Sequence, residues 1–242
     1  SMNSTLVLGL LLLLWGASTP GEPAPKPNII IILADDLGYG DLSVQGHPLI
    51  RTPNIDQLAR EGQRWTSFYA SAPFCSASRV GLMTGRLPIR ISGTGSWLPI
   101  PAREVTIAEM LKNEGYATGY VGKWGISSFS SNFVEPFSHP NEQGFDHFFG
   151  LVGSNDGPMR EGLKRTYENI KNAASTDFLI SLYRERQAIE TPPYQPTLTE
   201  RYTEDAVKWI RTHKNKPFLL FLAHSMPHVP IFRSPAFEGH SR

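Results

Sequence analysis

The sequence has one cysteine, Cys75, in a chain of 242 residues. A single thiol excludes an internal disulfide framework and leaves three uses: a disulfide with another chain, a free thiol or a reactive group. The sequence also lacks an excess of charge of either sign, since 23 Lys and Arg residues balance 22 Asp and Glu residues for a formal net charge of +1. We therefore expect no nucleic acid partner and no general attraction to an anionic membrane, and any anion binding must depend on local groups.

The N-terminal region has no apolar run long enough to cross a bilayer. Its apolar segment covers residues 6–15, whereas a spanning helix needs about 20 residues. Small residues at 16–18 and a proline-rich stretch at 19–25 follow it, and this order is typical of a secretory signal peptide. The sequence predicts a signal peptide and leader at residues 1–25, no stable membrane span, and one globular domain at residues 26–242.

Strand-like and helix-like segments alternate along the rest of the chain. The first strand-like segment, residues 28–34, contains consecutive isoleucines, and such a run is expected of a strand buried on both faces of a parallel sheet. This alternation predicts an α/β fold with a mostly parallel central sheet flanked by helices. The other predicted strands are residues 64–69, 116–121 and 217–223, and the predicted helices are residues 52–62, 106–114 and 199–211.

Polar residues stand just beyond the carboxyl ends of these predicted strands. They are Asp35, Asp36, Lys123 and His228, and in open α/β sheets this edge is where ligands bind. Taken singly, each has a simpler interpretation as a solvated loop residue, a helix cap or a surface charge. Adjacent carboxylates after an apolar strand suit a hard cation better than a cap, so we predict a ligand site here.

The segment around Cys75 predicts a helix that packs closely. Small residues follow the cysteine, and Arg79 adds a positive charge next to the predicted helix at residues 80–83. A free cysteine is commonly a small buried hydrophobic residue. The alternative is a thiolate nucleophile, because Arg79 and a helix terminus would both lower the pKa of the thiol.

The same segment resembles a known signature. Cys75-Ser76-Ala77-Ser78-Arg79, followed by Thr84-Gly85-Arg86, resembles the signature of the type I sulfatases, in which the cysteine is oxidised to formylglycine. Residues 33–41, 52–56 and 122–124 are similar to further sulfatase motifs in the same order. Residues 27 to 230 therefore resemble the N-terminal half of an arylsulfatase A-like enzyme of the alkaline-phosphatase-like superfamily, truncated at the C-terminus.

The resemblance implies hydrolysis of a sulfate ester through a formylglycine made from the cysteine, with assistance from Ca²⁺. Its implied partners are the formylglycine-generating enzyme and a small sulfate ester, a sulfolipid or a sulfated sugar, and its implied location is lysosomal or extracellular. The resemblance implies that Asp35, Asp36 and Cys75 bind Ca²⁺, and that Cys75, as formylglycine, is the nucleophile. Arg79 would support the formylglycine, and Lys123 would contact the sulfate. His228 would give a hydrogen bond or a proton to the ester, and His147 would contact the substrate.

Two departures from the sulfatase pattern keep other functions open. Gly125 stands where the family has a histidine that accepts a proton, so we expect slow breakdown of the intermediate unless His139 or His147 substitutes. No Asp-Asn pair or second active-site lysine follows His228, so we expect weak Ca²⁺ binding. A non-catalytic sulfatase-like protein with an anion pocket is the main alternative. A secreted domain with an intermolecular Cys75 disulfide is the third, and a phosphatase of the same superfamily is disfavoured because those enzymes carry Ser or Thr at this position.

Overall fold

The computed structural model describes residues 25–91, 99–126 and 139–239. The predicted signal peptide lies outside these residues. The strands in the described part of the chain form one sheet of six strands in the order β1-β6-β2-β3-β4-β5. Their bounds are β1 Ile29–Leu33, β2 Ala117–Lys123, β3 His147–Leu151, β4 Leu182–Arg184, β5 Gln187–Glu190 and β6 Phe218–Ala223.

The sheet is parallel from β1 to β3 and antiparallel at its far edge. β6 pairs in parallel with both β1 and β2, and β2 pairs in parallel with β3. β4 and β5 form an antiparallel hairpin that continues the sheet from β3. The predicted α/β class with a mostly parallel central sheet is confirmed, and the parallel pairing places the ends of β1, β6, β2 and β3 at one edge.

Helices cover both faces of this sheet. The long helix α6 contacts β2, β3 and β6 on one face, while residues of α2 and α4 join the core on the other face. The three predicted helices are confirmed to within two residues at each end, and no helix in the described ranges is both long and apolar enough to span a bilayer. The helix bounds are α1 Pro53–Glu61, α2 Cys75–Thr84, α3 Pro88–Ile91, α4 Ile107–Asn113, α5 Tyr167–Lys171 and α6 Leu198–His213.

Two predictions about the first part of the chain are wrong. Residues 64–69 form no strand, and their aromatic side chains Trp65, Phe68 and Tyr69 are exposed. The first strand is not buried on both faces, since Ile30 and Ile32 are 48% and 64% exposed. The physical reason is that β1 forms an edge of the described sheet and α6 lies over β2, β3 and β6 instead.

Candidate active site

Cys75 is the first residue of α2, and its side chain is partly exposed. The helix therefore begins at the cysteine itself, earlier than the sequence predicts. The first amides of a helix have no partner within it, and they give this end a partial positive charge that favours anions. The hydroxyl of Ser78 donates to the carbonyl of Ala72 over 2.6 Å, which fixes the segment that precedes the helix. Cys75 is thus held at the partly positive end of the helix.

A buried cluster of three charged side chains lies behind Cys75. Asp35 follows β1, Lys123 ends β2, and Arg79 lies in the second turn of α2. The Lys123 ammonium donates to Oδ2 of Asp35, and Nη2 of Arg79 lies 3.6 Å from Oδ1 of the same carboxylate. These side chains are at most 5% exposed. Two cations thus share one carboxylate, so these three side chains together carry a net positive charge in a region where water screens weakly.

The remaining contacts of Arg79 involve Tyr120 of β2. Nη1 of Arg79 donates to the Lys123 carbonyl over 2.6 Å and to the Tyr120 hydroxyl over 3.2 Å. The Tyr120 hydroxyl donates to the same carbonyl over 2.6 Å. Nη2 of Arg79 is buried and makes no hydrogen bond. Sequence reasoning missed Tyr120, although a tyrosine within a buried strand needs a partner for its hydroxyl and this could have indicated it.

Asp36 and His228 lie on the more exposed side of the same edge. Nε2 of His228 is 3.6 Å from Oδ2 of Asp36, and Nδ1 of His228 lies 2.5 Å from the carbonyl of Val229, to which it donates. The Asp35 amide donates to the Met226 carbonyl over 3.3 Å. This bond joins the segment after β1 to the segment after β6, so Asp36 and His228 lie side by side.

Of these residues, Asp35, Asp36, Cys75, Ser78 and Arg79 line one open cleft of 310 Å³. Lys123 and His228 do not line the cleft themselves. Lys123 is buried and bonded to Asp35, and His228 lies next to Asp36. The structure therefore brings together all the residues that the sequence singled out for catalysis and metal binding, while their chemical roles stay predictions. The lining residues are Leu33, Ala34, Asp35, Asp36, Leu37, Ala70, Ala72, Pro73, Phe74, Cys75, Ser78 and Arg79.

His147, predicted to contact substrate, is not among these residues. It begins β3 and pairs with Gly119 of β2, whereas Lys123 pairs with Leu151 at the other end of the same two strands. Its ring nitrogens lie 2.8 Å from Oε1 of Glu185 and 2.6 Å from Oδ2 of Asp205. The structure thus places His147 toward the amino ends of the strands, in an ion-pair cluster away from the cleft.

His139, the other candidate to replace the missing histidine, is buried among the same elements. Its Nε2 lies 3.0 Å from the Glu185 carbonyl, and its Nδ1 accepts from the Asn141 amide. Burial and the charge of Arg186 lower the pKa of His139 to about 4. Neither His139 nor His147 lines the cleft, so the described residues offer no support for either as the missing base.

The ion pairs of His147 predict a pH-dependent contribution to stability. Burial alone would lower its pKa, but the hydrogen bonds and charges of Asp205 and Glu185 outweigh burial and raise the pKa to about 9. An imidazolium favoured in this way stabilises the fold fully below the unfolded pKa of about 6.5, and the contribution is lost as pH rises through 9. We expect His147→Gln to lower the free energy of unfolding by about 2–3 kcal/mol at pH 6 and by much less at pH 9.5. Urea titrations at both pH values measure this, and a difference that does not change with pH would contradict it.

Gly125 takes a left-handed backbone conformation directly beside the charged cluster. Its φ is +66°, and a Cβ atom there would lie 3.2 Å from Cε of Lys123 and 3.3 Å from Cδ of Arg79. Its amide donates to the Val152 carbonyl over 3.0 Å, which fixes this geometry. A side chain at position 125 would therefore press on the two cations.

Gly85 provides a matched comparison for this position. Its φ is +65°, nearly the same, but a Cβ atom there would meet nothing within 4 Å. We expect Gly85→Ala to cost about 1 kcal/mol from backbone strain alone and Gly125→Ala to cost about 2–3 kcal/mol, because the tight contacts add to the strain. Urea denaturation of both variants measures the two losses of free energy of unfolding. Equal losses would show that Lys123 and Arg79 move aside without a measurable penalty.

The oxygen donors at this edge do not by themselves make a calcium site. Calcium takes about six to eight oxygen ligands, and within the described ranges no group of three or more His, Cys, Asp or Glu side chains is placed to hold a metal ion. Asp35 and Asp36 supply carboxylates, but that of Asp35 is already paired with Lys123 and Arg79. We therefore assign no chemical step to Ca²⁺.

Comparison with protein families and curated proteins gives one consistent result. A family model described as Sulfatase matches residues 27–242. The chain is 37% identical over 235 residues to arylsulfatase G from Mus musculus, covering 88% of the chain and 43% of that protein. It is 36% identical over 248 residues to N-acetylgalactosamine-6-sulfatase from Sus scrofa, covering 96% of the chain and 45% of that protein. The chain thus spans less than half the length of these relatives.

Solved structures with the same fold lead to the same family. The crystal structure of Ps i-CgsB in complex with k-i-k-neocarrahexaose matches with a TM-score of 0.69 and 32% identity, over 85% of this chain and 46% of that one. The structure of BT4656 in complex with its substrate D-glucosamine-2-N,6-O-disulfate matches with a TM-score of 0.61 and 27% identity, over 84% of this chain and 35% of that one. With a family model that covers most of its length and a cleft built from the residues of the family signature, the chain belongs to the sulfatase family.

Proposed function

We propose that the cleft binds the sulfate group of an ester and that the protein hydrolyses this ester as a sulfuric ester hydrolase. The observation that carries the proposal is the buried cluster formed by Asp35, Arg79 and Lys123, in which two cations share one carboxylate. A buried cation without a full set of partners is costly unless an anion completes it. Nη2 of Arg79 is such a donor, since it is buried without a hydrogen bond beside the cleft. A sulfate oxygen would satisfy it.

Cys75 would carry the reacting group. When it is converted to formylglycine, the hydrated aldehyde supplies a nucleophile for the sulfur atom. Its place at the start of α2 sets it at the partly positive end of the helix, which also favours a sulfate oxygen. Arg79 and Lys123 would stabilise the charge that develops on the sulfate as the ester bond breaks, because preorganised cations in a poorly hydrated site act strongly on such charge.

His228 is suited to exchange a proton with the leaving oxygen. Its Nδ1 is engaged by the Val229 carbonyl, and its Nε2 faces Asp36 on the exposed side of the cleft. This arrangement fixes the ring and presents Nε2 to an incoming ester, where the imidazolium form, with protons on both nitrogens, would act as a general acid. The alcohol part of the substrate would therefore leave on the side of Asp36.

The names of the relatives favour a sulfated sugar as the substrate class. One curated relative is an N-acetylgalactosamine-6-sulfatase, and one structural neighbour is described with a disulfated glucosamine as its substrate. The predicted signal peptide would take the chain into the secretory pathway, where the formylglycine-generating enzyme would act on Cys75. We therefore propose a lysosomal or extracellular sulfatase.

A second candidate function is anion binding without turnover. It is favoured by Gly125, which offers no side chain to act as a base next to Lys123. The pairing of Asp35 with two cations favours it too, because that carboxylate is not free to hold a metal ion. Such a protein would bind sulfate esters in the same cleft and release them unchanged.

Two measurements on the full chain separate these functions. Mass spectrometry of the peptide that contains Cys75, from protein made in cells with the formylglycine-generating enzyme, would show the mass loss of thiol-to-aldehyde conversion if the protein is an enzyme. Hydrolysis of a chromogenic aryl sulfate, with added Ca²⁺ and with a chelator, would then show turnover and its metal dependence. An intact thiol together with binding of inorganic sulfate would support the second candidate and exclude the first.

A further inference from the structure

We propose that Tyr120 is a positioning residue, whose buried hydroxyl orients Arg79 so that Nη2 of the guanidinium is presented to the bound anion. The proposal deepens the proposed function and rests on it where it concerns anion binding. Tyr120 does not line the cleft, so it would act through Arg79. Its role follows from three contacts among its hydroxyl, the Arg79 guanidinium and the Lys123 carbonyl.

These three groups close a triangle of hydrogen bonds. Nη1 of Arg79 donates to the Lys123 carbonyl at 2.6 Å and to the Tyr120 hydroxyl at 3.2 Å, and that hydroxyl donates to the same carbonyl at 2.6 Å. The guanidinium is planar, so fixing Nη1 at two acceptors also fixes the direction of Nη2. In this orientation Nη2 stays 3.6 Å from Oδ1 of Asp35, beyond hydrogen-bond distance. The triangle thus keeps one donor of Arg79 available.

The ring of Tyr120 is held firmly enough to serve as a fixed point. It stacks on Phe221 of β6 with 5.0 Å between ring centroids and an 11° interplanar angle, and it meets Trp124 and Phe145 edge-on at 5.1 Å each. Tyr120 is fully buried, and burial, against the opposing charge of Arg79, raises the pKa of Tyr120 to about 12. The hydroxyl therefore stays neutral and leaves the positive charge of the cluster unchanged.

Phenylalanine at position 120 would fill the same space without the hydroxyl. Nη1 of Arg79 would then keep one acceptor, and the guanidinium could turn toward Asp35 and satisfy Nη2 there. The anion would have to compete with that internal contact. A hydrogen bond that involves a charged group is worth about a tenfold change in affinity or more.

The test compares Tyr120→Phe with Tyr202→Phe in the full chain, with inorganic sulfate as the probe. Tyr202 is also a fully buried tyrosine, but it lies in α6 and packs against Phe149 on the other face of the sheet. We expect calorimetry to show sulfate affinity about tenfold lower in Tyr120→Phe and nearly unchanged in Tyr202→Phe. The Arg79 guanidinium resonances in ¹⁵N NMR should exchange with water faster in Tyr120→Phe only. Unchanged resonances and affinity in Tyr120→Phe would overturn the proposal.

A double substitution tests whether Tyr120 acts through Arg79. In an Arg79→Lys background the triangle is already broken, so adding Tyr120→Phe should lower sulfate affinity no further. An equal loss in both backgrounds would mean that Tyr120 supports the fold in general, and it would overturn the positioning role. If the unsubstituted chain does not bind sulfate, the proposed function fails, while the Arg79 resonances still decide whether Tyr120 orients the guanidinium.

Discussion

Cys75→Ala should abolish hydrolysis of a chromogenic aryl sulfate, with a fall in turnover of about 10³-fold or more, the scale on which removal of a covalent nucleophile acts. The expectation follows from the place of Cys75 at the first turn of α2 and at the wall of the cleft. Because its side chain is partly exposed, the substitution should leave the free energy of unfolding nearly unchanged. A steady-state assay and a urea titration of the same preparations measure both quantities.

Ser78→Ala is the matched control for this experiment. Ser78 lines the same cleft, and its hydroxyl donates to the Ala72 carbonyl, so the variant removes a polar group and one contact of the segment before Cys75 but keeps the nucleophile itself. We expect it to keep most of the turnover. If Cys75→Ala hydrolyses the ester as fast as the unsubstituted chain, Cys75 is not the nucleophile, and any observed activity has another source.

Lys123→Met should lower the free energy of unfolding by about 3–5 kcal/mol, the usual cost of removing one partner from a buried ion pair. The Lys123 side chain is fully buried, and its ammonium is bonded to a carboxylate that is 5% exposed. Methionine keeps most of the side-chain volume of lysine, so the loss of free energy of unfolding reports the missing charge. Asp35 would keep only Arg79, whose nearest nitrogen is 3.6 Å away. Urea denaturation monitored by fluorescence provides the measurement.

Lys112→Met controls for the loss of a lysine in an exposed ion pair. Lys112 pairs with Asp146 over 2.5 Å, and both side chains are 48% exposed, so we expect a change of only about 0–1 kcal/mol. A similar change in both variants would mean that the buried cluster contributes no more than a surface pair. Turnover should also fall in Lys123→Met and stay normal in Lys112→Met.

The location of the site could be predicted from the sequence because strand ends in a parallel sheet meet at one edge. Asp35 and Lys123 are far apart in the chain, yet each follows an apolar segment that reads as a buried strand. This rule brought them to one cleft without any knowledge of the pairing order. The residues around Cys75 also predicted a helix near the cysteine, but at residues 80–83, whereas the observed helix already begins at Cys75.

Other features depend on three-dimensional packing, which the periodicity of the sequence does not reveal. The isoleucines of β1 look like those of a central strand, but their exposure depends on the neighbouring strands, and among the described strands β1 pairs only with β6. His147 lies in a sulfatase-like segment, but it starts its strand and therefore faces the opposite edge of the sheet. Tyr120 was missed because its partners, Arg79 and a carbonyl, come from a helix and a strand end that only the fold brings together.

The edge of β1 that no other described strand pairs with affects how activity has to be compared between preparations. Its residues are all apolar, and an edge strand without charge or proline is a template for pairing with another molecule. β1 runs directly into Asp35, so self-association there would reach the cleft wall. Specific activity should therefore fall as protein concentration rises, and variants are best compared at the same dilution.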